Sequence, residues 1–306
     1  MQFPDRFHRL EQITQGLDVV LSFNLLKSIQ LKEALFSRIT SAVTIYIWQS
    51  LISFFPDKCF TLSDNLLGAY ASEIKALPNI TPNGLVLPKS ENILAYNSLH
   101  RIVAKTFMDL GLDRHFSACQ FPLNVRLISG APNQTLDGRP RSATKPHADV
   151  WAGDPAGAIV FMMPILGDID KVGVHFFEAE NFPEKYQGRL KDFNEGHAVA
   201  ETAVKYDASF KLGEMILFDP FLLHQTQKRG DGLRVSLDFR CLAKQELPSD
   251  RAQPSDGYRI LFPTADWLDY GTGRLVVTSE PLLEYRGTDH STVGYEVALK
   301  TLRIAD

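Results

Sequence analysis

Residues 213–242 read GEMILFDPFLLHQTQKRGDGLRVSLDFRCL, and the fold can be worked out from this stretch. An apolar run leads to His224, the turn-forming KRGDG follows, and a second run alternates strictly from Leu233 onward. Side chains on a strand point to opposite faces in turn, so Arg234, Ser236, Asp238 and Arg240 share one face and Val235, Leu237 and Phe239 the other. A polar face inside an otherwise apolar strand is costly unless something occupies it. The glycines of KRGDG can take φ > 0, so a tight hairpin is expected to fold Arg234 back beside His224. With a loop of odd length, Ser236 would fall opposite His224, and Thr226 opposite Arg234.

Upstream, the same rhythm appears in FPLNVRLIS (121–129), PHADVW (146–151), GAIVFMMPIL (157–166) and VGVHFF (172–177), with turn-rich GAPNQTLDGRP and GDID between them. Short strands in this number predict a mainly β core with helical additions, a double-stranded β-helix or jelly roll of the cupin kind. The polar stretch from Asn181 to Tyr206 interrupts the rhythm, as lids and binding loops do.

Residues 1–118 read as a mainly helical region packing on the barrel. The clearest helix is SENILAYNSLHRIVAKTFMDLGL (90–112), with Ser90 as a cap, apolar residues near a 3.6-residue period and Gly111 at the end. Ala42 to Phe55 is apolar but shorter than a membrane span needs, and predicts a core helix or buried strand. The catalytic core is expected over 119–245 and a C-terminal extension over 246–306. Within that extension KQELPSDRAQPSDG reads as a surface linker and RLVVTS as a further strand.

At 44% hydrophobic and 22% charged residues the chain has the composition of an ordinary globular protein, long enough to build its core without disulfides. A net charge of −4 with no long Lys/Arg block argues against nucleic acid or an anionic membrane as partner. Cys59, Cys119 and Cys241 are odd in number and far apart, and so read as buried thiols of a reducing cytoplasm. The first residues, MQFPDRFHRLEQ, have no basic segment leading into an apolar run, so no secretory signal is expected.

His147 and Asp149 stand two apart in a segment that reads as a strand, so one backbone stretch presents an imidazole and a carboxylate together. His224 can bring a second imidazole alongside. Two histidines and a carboxylate form a facial triad that leaves open positions on Fe(II), although zinc could use the same ligands. Arg234, ten residues beyond His224, bears on that choice: its planar fork matches a carboxylate, and Ser236 adds a hydroxyl. A dicarboxylate is a fitting occupant.

The segments PHADVWAGDP and LLHQTQKRGDGLRVSLDFR resemble the two signature regions of the phytanoyl-CoA dioxygenase-like superfamily of Fe(II)/2-oxoglutarate oxygenases. The likeness covers roughly residues 120 to 243. More loosely, HADVWAGDP is similar to oxygenases of carbohydrate and aminoglycoside biosynthetic clusters. The resemblance implies iron on His147, Asp149 and His224, and 2-oxoglutarate chelating it, with its far carboxylate on Arg234 and Ser236. It also implies O₂ as co-substrate, succinate and CO₂ as products, and hydroxylation of a C–H bond in a small polar metabolite, possibly a sugar or biosynthetic intermediate, as the default outcome. With Asp149 present, the chain departs from the family's halogenase variant.

Around this nucleus other residues read two ways. Trp151 either lines the substrate mouth or packs in the core. Thr226 is a contact behind the co-substrate site or an ordinary strand threonine. Asn124 and Arg126 reach the pocket or face solvent, and His197 in the polar insertion is a candidate substrate contact. Two other functions fit the same ligands: a cupin-type isomerase or hydrolase using the metal as a Lewis acid, and a non-catalytic metal-binding sensor.

Overall fold

The computed structural model describes residues 3–89, 91–245, 247, 250 and 261–272. Its strands are β1 (Val19–Phe23), β2 (Leu26–Gln30), β3 (Leu85–Val86), β4 (Phe116–Gln120), β5 (Asn124–Ser129), β6 (Ala158–Gly167), β7 (Val172–Glu178), β8 (Val204–Lys205), β9 (Glu214–Phe218), β10 (Leu223–Lys228), β11 (Leu233–Ala243) and β12 (Leu261–Pro263). The helices are α1 (Pro4–Thr14), α2 (Glu33–Phe54), α3 (Leu66–Ala69), α4 (Ala71–Lys75), α5 (Ile93–Asp109), α6 (Gln134–Asp137), α7 (Asp149–Ala152), α8 (His197–Glu201) and α9 (Thr264–Thr272).

One sheet runs β1-β2-β9-β6-β11-β4-β12, with β5 also on β11 and β3 on β5; the other runs β10-β7-β8. From β6 onward the chain crosses repeatedly between the sheets: β6 in the large one, β7 and β8 in the small, β9 back in the large, β10 in the small and β11 in the large. Among the described residues every strand pairing is antiparallel. This is the jelly roll expected from the strand rhythm.

Alternation on β6 and β11 divides the molecule into layers. Phe161, Val235, Leu237 and Phe239 join a core shared with α2, α5 and α9, where Phe107 meets Phe161 at 4.9 Å and Phe239 at 5.4 Å. Val160, Met162, Arg234, Ser236, Asp238 and Arg240 turn the other way, into a cavity between the sheets. Helix α5 ends as expected at Gly111, whose φ of 67° suits glycine. Its expected cap, Ser90, lies outside the described residues, as does the RLVVTS segment and most of the KQELPSDRAQPSDG linker. Among the described residues no helix is long and apolar enough to cross a membrane.

Several expectations are corrected. GEMILFDPFLLHQT is two strands in two sheets, broken where Asp219 Oδ1 accepts from the Phe221 N–H and Leu222 N–H donates to Asp219 O. Asp-Pro chemistry of this kind favours a turn. β10 therefore pairs with β7, placing His224 opposite Phe176 and Thr226 opposite Val174, while Arg234 and Ser236 lie opposite Ile128 and Arg126 of β5. The expected β10–β11 hairpin does not form, because KRGDG carries the chain from one sheet to the other.

The N-terminal region is mainly helical as expected, and β1 and β2 add a hairpin that extends the large sheet beside β9. Cys59 is exposed rather than buried, and the sequence-distant Cys119 and Cys241 are cross-strand partners.

Candidate metal centre

His147 and His224 are joined by a single antiparallel bridge, the His147 N–H donating to His224 O at 2.9 Å and the His224 N–H to His147 O at 2.8 Å. The bridge sets the two imidazoles side by side, with ring centroids 4.3 Å apart. Each Nδ1 faces a main-chain carbonyl two residues back, Lys145 O at 2.8 Å for His147 and Leu222 O at 3.1 Å for His224. A carbonyl only accepts, so Nδ1 carries the proton and Nε2 keeps its lone pair for a metal.

Burial lowers the pKa of His147 to about 3, helped by the neighbouring His224 and opposed by Asp149. Burial likewise lowers that of His224, against the pull of Asp149. Both rings are accordingly neutral near pH 7, the form that ligates. Phe193 stacks on His147 at 4.5 Å and 7°, fixing the ring further.

Asp149 does not lie on a strand. It opens α7, which ends at Gly153 in the left-handed region. The carboxylate still reaches the histidines: Asp149 Oδ1 stands 3.7 Å from His224 Nε2, and ligand atoms of His147, Asp149 and His224 lie within 4.8 Å of one another. Its other oxygen, Oδ2, accepts from Arg240 Nη2 at 2.7 Å. Arg240 also donates through Nε to Asp154 Oδ2 at 2.6 Å and through Nη1 to Asp238 Oδ1 at 2.5 Å. Burial disfavours the Arg240 cation, but Asp149, Asp154 and Asp238 outweigh it and hold its pKa well above the ordinary value.

Six residues earlier on the same face of β11 the environment is different. Arg234 is buried, donates through Nη1 to Val172 O at 2.8 Å and finds no acceptor for Nε. Ser236 beside it is buried with its hydroxyl unpartnered. Among the described residues no carboxylate pairs with Arg234, including Asp231 and Asp238, which stand close in sequence. Burial, followed by the repulsion of Arg126, lowers the Arg234 pKa to about 10. Buried donors without acceptors are uncommon and call for a partner; a carboxylate group of a bound molecule fits the fork and the hydroxyl.

The triad, Arg234 and Ser236 share one cavity of about 470 Å³. Arg126 and Thr226 also line it, Arg126 donating through Nε to Asp238 Oδ2 at 2.7 Å and through Nη1 to Asn83 O at 2.9 Å. Asn124 is buried and donates to Asp238 Oδ1 at 2.8 Å, behind the cavity wall. Trp151 and His197 are not among the lining residues. Trp151 is fully buried, its Nε1 donating to Tyr186 O at 2.7 Å, because α7 replaces the strand geometry that would have set it beside Asp149. His197 sits on exposed α8 with Glu201 at 3.1 Å. The polar insertion instead contributes Lys191 and Phe193.

Sequence reasoning assigned no role to Arg240, Asp154, Phe193, Arg139, Arg141 or Lys191. Only Arg240 left a legible signal, its place on the polar face of β11.

No family model matches the chain, and no curated protein matches it. Among solved structures the chain is similar to the non-heme alpha ketoglutarate dependent carbocyclase SnoK from nogalamycin biosynthesis, at 10% identity over 80% of this chain and 90% of that one, with a TM-score of 0.44. It is also similar to the apo non-heme monooxygenase ThoJ, at 13% identity over 96% and 94% of the two chains with a TM-score of 0.40. A third similar structure is an N-substituted L-amino acid dioxygenase from Burkholderia ambifaria in complex with alpha-KG, at 14% identity over 71% and 82% with a TM-score of 0.36.

Proposed function

We propose that this chain is an Fe(II)/2-oxoglutarate-dependent oxygenase that hydroxylates a C–H bond of a small polar metabolite. The observation that carries the reading is the meeting, in one cavity, of the His147–Asp149–His224 cluster with a buried arginine whose Nε, and a buried serine whose hydroxyl, find no protein partner. A Lewis-acid isomerase or hydrolase needs the cluster but has no general requirement for a second, carboxylate-binding pair, so Arg234 and Ser236 disfavour it.

In this reading His147 Nε2, Asp149 Oδ1 and His224 Nε2 hold the iron, and Arg234 with Ser236 holds the far carboxylate of 2-oxoglutarate. When bound, iron, 2-oxoglutarate and O₂ supply oxidation of the substrate coupled to decarboxylation to succinate and CO₂. The chain's own contribution is positional. The Nδ1 bonds to Lys145 O and Leu222 O aim the imidazoles, and Arg240 takes Asp149 Oδ2 so that Oδ1 faces the histidines. Val160, Met162 and Phe218 give the cavity an apolar wall that limits water.

The test is anaerobic addition of Fe(II) and 2-oxoglutarate, followed by exposure to O₂. A weak visible charge-transfer band and succinate release are expected. Asp149→Ala should lose both, through weakened iron binding. No band in the wild-type protein, or succinate release undiminished in Asp149→Ala, would overturn the proposal.

A further inference from the structure

Arg234 and Ser236 do not close the interior of the jelly roll. On their far side lies a second cavity of about 270 Å³, and Met162, Val174, Arg234 and Ser236 line both it and the metal cavity. The carboxylate-binding pair therefore stands at a boundary between two spaces, where a site fitted to a single acid length would be backed by packed protein.

The chain path accounts for the second space. β8 pairs with β7 only at Phe177 and Glu178, and the Tyr206 N–H adds one bond to Phe176 O. Among the described residues no main-chain bond joins 207–210 to β7, and this segment and the Val172 end of β7 border the second cavity. The Arg234 guanidinium is drawn to that side, since Nη1 donates to Val172 O at 2.8 Å and Val172 lines the second cavity but not the first. Its Nε and the Ser236 hydroxyl, both buried, find no protein partner, and buried donors of this kind point to a ligand.

A site discriminates against a longer homologue by placing something in its way, because attraction for the shared groups does not tell the two apart. One methylene too many in a filled pocket costs about 10- to 200-fold in binding. Behind Arg234 and Ser236 that obstacle is replaced by empty volume.

We infer that the co-substrate site also takes 2-oxo diacids longer than 2-oxoglutarate, 2-oxoadipate first among them, with the 2-oxo acid end at the metal ligands and the far carboxylate on Arg234 and Ser236, displaced toward the second cavity. The inference rests on the oxygenase reading and extends it to the length of acid accepted.

The experiment titrates the full chain, anaerobic and loaded with Fe(II), with 2-oxoglutarate, 2-oxoadipate and 2-oxobutyrate in turn, reading the charge-transfer band and, by calorimetry, the Kd. 2-Oxobutyrate lacks the far carboxylate and so gives the affinity of the metal end alone. 2-Oxoadipate should bind within about fivefold of 2-oxoglutarate, below the discrimination of a filled pocket, and both should bind about tenfold or more tighter than 2-oxobutyrate. Ala208→Phe places a ring in the second cavity from its half-buried wall. It should weaken 2-oxoadipate about tenfold or more while leaving 2-oxoglutarate within about twofold. Should that variant not fold, Ser209→Phe at the exposed rim of the same cavity takes its place, and the wild-type ratios stand without either. Wild-type binding of 2-oxoadipate more than about tenfold weaker than 2-oxoglutarate, or no tighter than 2-oxobutyrate, would overturn the inference, as would an acid ratio that filling the cavity leaves unchanged. The two proposals fail separately: a band with 2-oxoglutarate but poor binding of 2-oxoadipate removes this inference alone, whereas no band with 2-oxoglutarate removes the oxygenase reading itself.

Discussion

Replacing Arg234 by methionine tests the site through folding stability as well as through ligand binding. A buried arginine engaged by carboxylates is hard to remove, because its partners are left as uncompensated charges at a cost of about 3–5 kcal/mol. Arg234 is in the opposite situation: burial lowers its pKa from the ordinary arginine range to about 10, so the folded protein disfavours the cation by about 3 kcal/mol. Methionine relieves that penalty and loses one bond to Val172 O, worth about 1 kcal/mol, together with some packing. The metal-free variant should therefore be as stable as wild type within about 1 kcal/mol, or somewhat more stable. The ligand-dependent term behaves differently. With metal present, 2-oxoglutarate at a hundredfold over its Kd should stabilise wild type by about 2.7 kcal/mol. The variant, lacking the charged fork, should gain close to nothing at that concentration. Urea denaturation of both proteins, with and without Ni(II) and 2-oxoglutarate, reads all four quantities. A large loss of stability in the ligand-free variant, combined with an undiminished gain from 2-oxoglutarate, would mean that Arg234 is an ordinary structural cation.

The other predictions concern neighbouring parts of the molecule. Arg240→Leu should do what Arg234→Met does not, lowering urea stability by about 3–5 kcal/mol, since Asp149, Asp154 and Asp238 lose a shared buried counter-charge; a loss below 1 kcal/mol would contradict the network. His100 is fully buried, and burial lowers its pKa from 6.5 to about 4, so the unfolded chain takes up a proton first as pH falls and stability is lost between those values. The stability difference between wild type and His100→Phe should consequently move by about 2 kcal/mol against wild type from pH 7 to pH 5, measured by urea denaturation at each pH. Gly196→Ala would put a Cβ 2.3 Å from the Trp151 ring, and overpacking of this kind should cost about 1–3 kcal/mol of thermal stability; an unchanged Tm would show that Trp151 is free to move.

How much of this could be read from the sequence depended on the length of each pattern. β11 has eleven residues, and its period of two assigned Arg234, Ser236, Asp238 and Arg240 to the cavity and Val235, Leu237 and Phe239 to the helical layer. The HADVW segment was too short for the same reasoning. Its alternation suggested a strand, but a four-residue helix starts at Asp149, and a helical step of about 100° per residue sends Trp151 away from the Asp149 side chain into the core. The β10–β11 register failed for a different reason. Alternation and a glycine turn describe two strands equally well whether they pair in one sheet or face each other from two, and only the jelly-roll crossover decides between these. The β1–β2 hairpin was hidden by the helical character of its surroundings. Arg139, Arg141 and Lys191 had no period to reveal them as cavity residues, since they come from two loops that only the tertiary fold brings together.

The proposed ligand set also has a consequence for how the metal and the fold depend on each other. In small zinc modules the ligands are gathered by the metal, and binding free energy is folding free energy. Here each ligand is placed by bonds that involve no metal. Two main-chain hydrogen bonds lock His147 to His224, each Nδ1 is tied to a carbonyl of its own segment, and Arg240 holds Asp149 by one oxygen. Around them, Phe176 and Phe218 flank His224 while Phe193 covers His147. The conformational entropy of ordering the three side chains is then lost on folding rather than on binding. Metal affinity should draw on a pre-set geometry and on neutral imidazoles, and removing the metal with a chelator should leave the jelly roll intact. An apo protein that unfolded cooperatively on chelation would show that the ion assembles the site, and that the bonds now seen around His147, Asp149 and His224 are its consequence.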